Sequence, residues 1–162
     1  MFNFLKKTKI VIGAPISGKV IALENVPDEA FSSGILGPGI AIEPSGNVVT
    51  ATANGRIGTM FDTGHAVSLI TDDGVEMLIH VGMDTVTLNG KNFTILRKTG
   101  EIVKKNDELI RFDKAAIAAA GLATITPVVI CNADTFAEIT FTKSTNVDTG
   151  DDFIYLVKGD KF

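Results

Sequence analysis

The chain is a succession of short apolar runs that are separated by turn residues. Glycine, proline, asparagine and aspartate interrupt the sequence every few residues, and the runs between them are rich in valine, isoleucine and threonine. Such runs at close spacing are typical of short antiparallel strands joined by tight turns. The regular alternation of strands with long helices that a doubly wound parallel sheet requires is missing. The pattern therefore predicts an all-β fold, namely an antiparallel β-sandwich that is partly barrel-like.

The strand pattern recurs along nearly the whole chain. Each segment combines β-branched or aromatic residues with a turn signal at one or both ends. We expect strands over residues 9–12, 19–24, 39–42, 48–51, 56–61, 65–71, 75–81, 101–104, 108–112, 128–131, 136–142 and 153–157.

Helical segments are few and short. The sequence KAAIAAA has high helix propensity, Asp113 can cap its amino end, and Gly121 lies where a helix would stop. These signals predict a helix over residues 113–120. A proline followed by an aspartate predicts a second, shorter helical turn over residues 28–32. One or two short helices are therefore expected beside the strands.

Length and composition indicate one globular domain. A chain of 162 residues can bury a sufficient core without a disulfide or a structural metal. Hydrophobic residues make up 45% and charged residues 21% of the chain, which is typical of globular proteins. We expect a flexible lead-in over residues 1–9 and a single domain over residues 10–162.

Charge and hydropathy argue against several classes of protein. The net charge is -4, and a short basic cluster over residues 6–9 is the only dense one, which argues against a nucleic-acid binder. No apolar run approaches the roughly 20 residues of a membrane-spanning helix. The single cysteine, Cys131, cannot form an intrachain disulfide and is expected to be a buried, inert thiol.

The chain contains only two histidines, His65 and His80, on strands that a tight turn should connect. If residues 73–74 form a two-residue loop, His80 faces Val67, and His65 is its diagonal neighbour. If residues 72–73 form the loop, the two histidines lie directly opposite each other. Either register places both imidazoles on one face, roughly 4.5–8 Å apart at Cβ. A three-residue loop would place them on opposite faces.

Two neighbouring imidazoles are compatible with more than one chemistry. A neutral histidine is a nucleophile near pH 7 and can carry a phosphoryl group, while a second imidazole donates a hydrogen bond to the phosphoryl oxygens. Two histidines and an acid could also bind zinc, and Asp84 is the nearest acid after His80. A non-catalytic β-sandwich binding module is the third alternative. The pairing alone leaves all three open.

The sequence around the histidines resembles a known family. The segments TGHAVSL and DDGVEMLIHVGMDTV resemble the two histidine motifs of the glucose-type IIA domain of the bacterial phosphoenolpyruvate-dependent sugar phosphotransferase system (PTS). The resemblance covers about residues 10–158 in the family's order and spacing. Its other segments are APISGKVIALENVPDEAF, LGPGIAIEPSGN, NGRIGTMFDTGH, LNGKNFTILRKTGEIVKKNDELIRFD and TPVVICN. It implies a β-sandwich with the histidines in a shallow depression and a phosphotransferase role without a cofactor or metal.

The resemblance also implies a role for each site residue. His80 matches the histidine that is phosphorylated through Nε2, and His65 matches its supporting partner. Thr63 matches a hydroxyl that helps to position this supporting ring or its phosphoryl contact, and Gly82 matches the carbonyl that orients the phosphorylated ring through Nδ1. The implied donor is the histidine-containing phosphocarrier protein HPr, and the implied acceptor is a cysteine on a IIB domain of a sugar permease. We expect a cytoplasmic monomer that contacts the membrane only through the permease.

A docking surface around the histidines is implied as well. Apolar residues exclude water from the transfer site and so protect a hydrolysable phosphohistidine, while acidic residues at the edge favour basic partners. Asp28 and Asp84 match these acidic positions. The apolar residues, which we call the collar, are Phe31, Ile35, Leu36, Phe61, Leu78 and Val86.

Three positions depart from the family's usual pattern. Asn92 and Asn106 replace glycines, and Leu78 replaces an aromatic residue that is common two positions before the phosphorylated histidine. Asparagine tolerates a left-handed backbone better than most residues, so we expect both turns to be retained.

Overall fold

The computed structural model of the protein describes residues 8–159, and short strands dominate it. Residues 1–7 of the predicted lead-in lie outside the described residues, whereas Thr8 and Lys9 already belong to the first strand. Residues 8–159 contain fourteen strands. They are β1 (Thr8–Gly13), β2 (Gly18–Ala22), β3 (Gly39–Pro44), β4 (Val48–Thr50), β5 (Gly55–Met60), β6 (Ala66–Thr71), β7 (Glu76–His80), β8 (Phe93–Ile95), β9 (Ile102–Val103), β10 (Glu108–Phe112), β11 (Thr126–Ile130), β12 (Glu138–Phe141), β13 (Asn146–Val147) and β14 (Asp152–Lys158).

These strands form three sheets in which every strand pair is antiparallel. The large sheet has the order β13-β2-β3-β11-β7-β6-β5-β9, and the two smaller sheets have the orders β1-β14-β12 and β4-β10-β8. None of these orders closes on itself within the described residues, so the fold is an open sandwich and not a closed barrel. The predicted all-β antiparallel sandwich is confirmed.

Alternate residues of β7 point to opposite sides of the large sheet. Met77, Ile79 and the following Val81 are fully buried, whereas Leu78 and His80 are only half-buried. Burying each of these large side chains contributes about 1.5–3 kcal/mol, so the core holds the strand in this rotation. The apolar alternation thereby directs His80 away from the main core.

The hairpin between β6 and β7 differs from both predicted loops. His80 pairs with Ala66, and residues 72–74 form a three-residue loop. Gly74 closes the loop with φ 86°, a left-handed conformation that suits the last position of a three-residue hairpin. The predicted registers were wrong because an Asp-Gly pair can form a two-residue loop or end a three-residue one.

The two short α-helices begin at the predicted caps. Helix α1 (Glu29–Ser32) follows Asp28, whose carboxylate accepts a hydrogen bond from the Ala30 amide at 2.9 Å. Helix α2 (Lys114–Ala119) follows Asp113, whose carboxylate accepts a hydrogen bond from the Ala116 amide at 3.0 Å. The helices of residues 8–159 are too short to span a membrane. Short 3₁₀ turns occupy Leu23–Asn25, Thr85–Leu88 and Ala133–Thr135.

Several local predictions need correction. Strands β8 and β13 were not predicted, because runs of three and two residues are too short to show a period. Strand β2 ends at Ala22, two residues early, because the chain then enters a 3₁₀ turn. Cys131 is exposed rather than buried, since it follows the last residue of β11. Asn92 and Asn106 do adopt left-handed backbones, with φ of 74° and 75°.

Candidate active site

His80 lies at the last position of β7, where the core-facing alternation places its ring outside the main core. Its Nδ1 is 2.8 Å from the carbonyl oxygen of Gly82. A carbonyl oxygen can only accept a hydrogen bond, so Nδ1 carries the proton of this bond. In the neutral ring the lone pair then lies on Nε2. The hydrogen bond therefore selects the tautomer in which Nε2 is the free nucleophile.

Gly82 can make this contact because it has no side chain. Its φ of 73° lies in the left-handed region that favours glycine. A Cβ at this position would lie 2.6 Å from the carbonyl oxygen of Ala123 and 2.7 Å from Cγ2 of Thr85. Another residue would therefore have to shift the backbone that carries the His80 acceptor.

His65 lies immediately before β6, after the left-handed Gly64 with φ 69°. Its ring is buried, with 5% of the residue exposed, and its Nδ1 is 2.5 Å from Oγ1 of Thr63. The His65 carbonyl also accepts a hydrogen bond from the Val81 amide at 2.7 Å. Because His65 precedes the strand, the alternation of β6 does not govern the direction of its side chain.

The two imidazole rings are neighbours despite the three-residue loop. Their centroids are 5.0 Å apart, and their planes are nearly perpendicular at 82°. Two phenylalanines extend the cluster, because Phe31 lies 5.1 Å from the His80 ring and Phe61 lies 5.5 Å from the His65 ring. The predicted proximity of the two imidazoles is therefore confirmed. It arises because His65 lies outside β6, and not from either predicted register.

This environment keeps both imidazoles neutral near pH 7. Burial first, and the nearby His80 second, lower the pKa of His65 to about 4. Burial also lowers the pKa of His80, against the opposing effects of the Gly82 carbonyl and of the Asp28 and Asp84 carboxylates. A neutral His80 needs no separate base to free its nucleophilic nitrogen.

The same stretch of chain matches a family model. Residues 10–136 match the model described as phosphoenolpyruvate-dependent sugar phosphotransferase system, EIIA 1. The chain belongs to this EIIA family. The resemblance seen in the two histidine motifs is confirmed.

Relatives of this EIIA chain occur as separate components and as segments of longer ones. The PTS system glucose-specific EIIA component of Oceanobacillus iheyensis is 39% identical over 163 residues, which cover 97% of this chain and 99% of that protein. The PTS system beta-glucoside-specific EIIBCA component of Halalkalibacterium halodurans is 44% identical over 147 residues, which cover 91% of this chain but 23% of that protein. The chain thus spans less than a quarter of some relatives that it matches.

A solved structure shares the fold. Glucose permease IIA from Mycoplasma capricolum superposes with a TM-score of 0.86 at 32% sequence identity. The match covers 96% of this EIIA chain and 99% of that chain. Nearly all of the sandwich is therefore common to the two proteins.

The predicted collar of this EIIA domain divides into a buried and an exposed part. Phe31 is buried against the His80 ring and shares a small apolar cluster with Leu78 and Met83. The other four collar residues are exposed. Within residues 8–159 the exposed large hydrophobic side chains are Val11, Ile35, Leu36, Phe61, Val86, Ile95 and Ile102.

Asp28 and Asp84 differ in their surroundings. Asp28 is half-buried and caps α1, whereas Asp84 is exposed and has a left-handed φ of 59°. Both carboxylates lie close enough to raise the pKa of His80. They therefore add negative charge beside the ring, and their role at the edge of a docking surface stays a prediction.

The zinc alternative lacks a third ligand. In the part of the chain from residue 8 to residue 159, no three His, Cys, Asp or Glu side chains come together in a way that could hold a metal ion. The Nδ1 atoms of His65 and His80 also already have protein partners. The pair by itself does not provide the three protein ligands of a catalytic zinc site.

One residue outside the predicted set, Thr85, lies against Gly82. It is fully buried, and its hydroxyl donates a hydrogen bond to the Val81 carbonyl at 2.5 Å. Threonine often bonds to the carbonyl four residues earlier, but that spacing is too common to be a signal in the sequence.

We expect the His65 ring to make stability depend on pH. Because folding lowers the pKa of His65 from 6.5 to about 4, the unfolded chain binds the proton first as the pH falls. Its contribution to stability is complete above pH 6.5 and is lost as the pH falls from 6.5 toward 4. Urea unfolding at several pH values measures how much unfolding free energy each protein loses between pH 6.5 and pH 4. This loss should be smaller in His65→Gln than in the native protein, by on the order of 2 kcal/mol once solvent screening is allowed for. Equal losses in both proteins would contradict the assignment.

Proposed function

We propose that the protein is a phosphocarrier of the sugar PTS, in which His80 accepts a phosphoryl group and passes it on. The single observation that supports this best is the hydrogen bond from His80 Nδ1 to the Gly82 carbonyl at 2.8 Å. It leaves the lone pair on Nε2, where a phosphoryl group would bind. Membership of the EIIA family agrees with this role.

In the first step the donor is HPr, which carries its phosphoryl group on a histidine nitrogen. Nε2 of His80 attacks the phosphorus, and the P–N bond to HPr breaks as the new P–N bond forms. The HPr histidine departs with its electron pair, so the step needs no additional reactant. Water exclusion by Phe31 and Phe61, which contact the two rings, protects the product from hydrolysis.

His65 would act as a hydrogen-bond donor to the phosphoryl oxygens. If the Thr63 hydroxyl donates to Nδ1 of His65 at 2.5 Å, the ring proton lies on Nε2. A neutral donor with a pKa of about 4 adds no positive charge beside His80 at rest. It can still stabilise the negative charge that builds up on the phosphoryl oxygens during transfer.

In the second step the acceptor is a cysteine thiolate of a IIB domain. The sulfur attacks the phosphorus, the P–N bond to His80 breaks, and His80 returns to its neutral tautomer. A relative that is named as an EIIBCA component has B, C and A parts in one protein, which supports a B domain as the partner.

Both partners would dock on the exposed part of the collar around the two histidines. Ile35, Leu36, Phe61 and Val86 offer apolar surface there, and Asp84 offers an exposed negative charge. Such a mixture suits partners that present an apolar patch with basic residues at its rim.

Phosphorylation should depend on His80. Incubation with phosphoenolpyruvate, enzyme I and HPr should add one phosphate to the native protein, in an acid-labile and base-stable form. His80→Ala should gain none, and intact-mass spectrometry measures both. Labelling that persists in His80→Ala would move the acceptor elsewhere, and an unlabelled native protein would favour a binding module.

Substitution of His65 should separate the two transfer steps. His65→Gln should still accept phosphate from HPr, because the His80 nucleophile is intact. Its onward transfer to a IIB cysteine should slow by about 10²-fold, which is the cost of losing one donor to the transferred group. Rapid-quench measurement of the loss of phosphate from His80 tests this. Onward transfer at the native rate would refute the supporting role.

A further inference from the structure

Two peptide groups flank Gly82, and each has an anchor. The Gly82–Met83 peptide provides the carbonyl oxygen that accepts from His80, and its amide, on Met83, donates to the Ala123 carbonyl at 3.0 Å. The Val81–Gly82 peptide has a carbonyl that accepts from the Thr85 hydroxyl at 2.5 Å. Because both peptide planes are tied to neighbouring groups, φ and ψ of Gly82 are held between them.

The methyl group of Thr85 also helps to exclude any residue other than glycine at position 82. A Cβ at this position would lie 2.7 Å from Cγ2 of Thr85 and 2.6 Å from the carbonyl oxygen of Ala123. Thr85 is fully buried, so its hydroxyl has no access to water as an alternative partner. Its hydrogen bond to the Val81 carbonyl is therefore expected to persist.

Val81 links this anchor to both histidines. It directly follows His80, and its amide donates to the His65 carbonyl at 2.7 Å while its carbonyl accepts from Thr85. A rotation of the Val81–Gly82 peptide would move the acceptor of His80 Nδ1. Movement of Val81 as a whole would also disturb the main-chain contact to His65.

We infer that Thr85 is a positioning residue for His80. Its hydroxyl holds the Val81 carbonyl, which keeps the Gly82 carbonyl directed at Nδ1 and the lone pair on Nε2. In this role Thr85 acts on His80 through the backbone of Val81 and Gly82 and not through a contact with either imidazole. The effect on the tautomer depends only on the geometry, whereas the effect on transfer rests on the proposed function.

The test compares variants that separate the hydroxyl from the methyl group. Thr85→Val keeps the shape and loses the hydrogen bond, whereas Thr85→Ser keeps the hydrogen bond. Thr50→Val is the matched control, because Thr50 is also buried and donates to a backbone carbonyl, that of Pro15, at 3.0 Å. If Thr85→Val does not fold, Thr85→Ala against Thr85→Ser gives the same comparison.

Long-range ¹H–¹⁵N NMR of the imidazoles reports the tautomer without any phosphoryl chemistry. We expect Nδ1 of His80 to carry the proton in the native protein, in Thr85→Ser and in Thr50→Val. In Thr85→Val the Nδ1 and Nε2 shifts should move toward each other as the second tautomer becomes populated. The rate of phosphate acceptance from HPr should fall about tenfold in the same variant only.

The two possible failures are distinguishable. An unchanged His80 tautomer in folded Thr85→Val, or a failure of serine to restore it, would overturn the positioning role whatever the transfer rates are. A native protein that does not accept phosphate would overturn the proposed function, while the NMR comparison would still decide the role of Thr85.

Discussion

The site depends on one hydrogen bond, from Nδ1 of His80 to the carbonyl oxygen of Gly82. The bond determines which ring nitrogen carries the proton, and so which nitrogen is free to react. It requires a residue with a left-handed backbone two positions after the histidine. Only glycine suits this position, because a side chain would collide with Thr85 and with the Ala123 carbonyl. The proposed chemistry therefore rests on the path of the backbone after β7 as much as on the histidine itself.

The sandwich supports this bond through the core. Met77, Ile79 and Val81 are buried on one side of the large sheet, which directs His80 to the other side. There, burial lowers the pKa of both imidazoles, so that two rings 5.0 Å apart remain neutral near pH 7. A charged pair at that distance would repel and would lack the free nitrogen. In the proposed function, the hydrophobic core and the reactivity of the histidine are therefore linked through the alternation of a single strand.

Much of this arrangement could be predicted from the sequence, and the failures are local. The strand pattern, the caps at Asp28 and Asp113 and the two histidine motifs indicate the fold and the family. The hairpin register was wrong, because loops of two and three residues share the Asp-Gly signal. The two rings are neighbours in spite of the different register, because His65 lies before β6. Contacts such as that of Thr85 depend on three-dimensional proximity and leave no pattern in one sequence.

The most direct test of the account identifies the atom that receives the phosphoryl group. Protein labelled with ¹⁵N in its histidines can be phosphorylated through HPr and examined by NMR for coupling between phosphorus and the ring nitrogens. We expect one phosphorus coupled to Nε2 of His80, with the proton still on Nδ1. Phosphorus on Nδ1 of His80, or on His65, would contradict the central role of the Gly82 hydrogen bond.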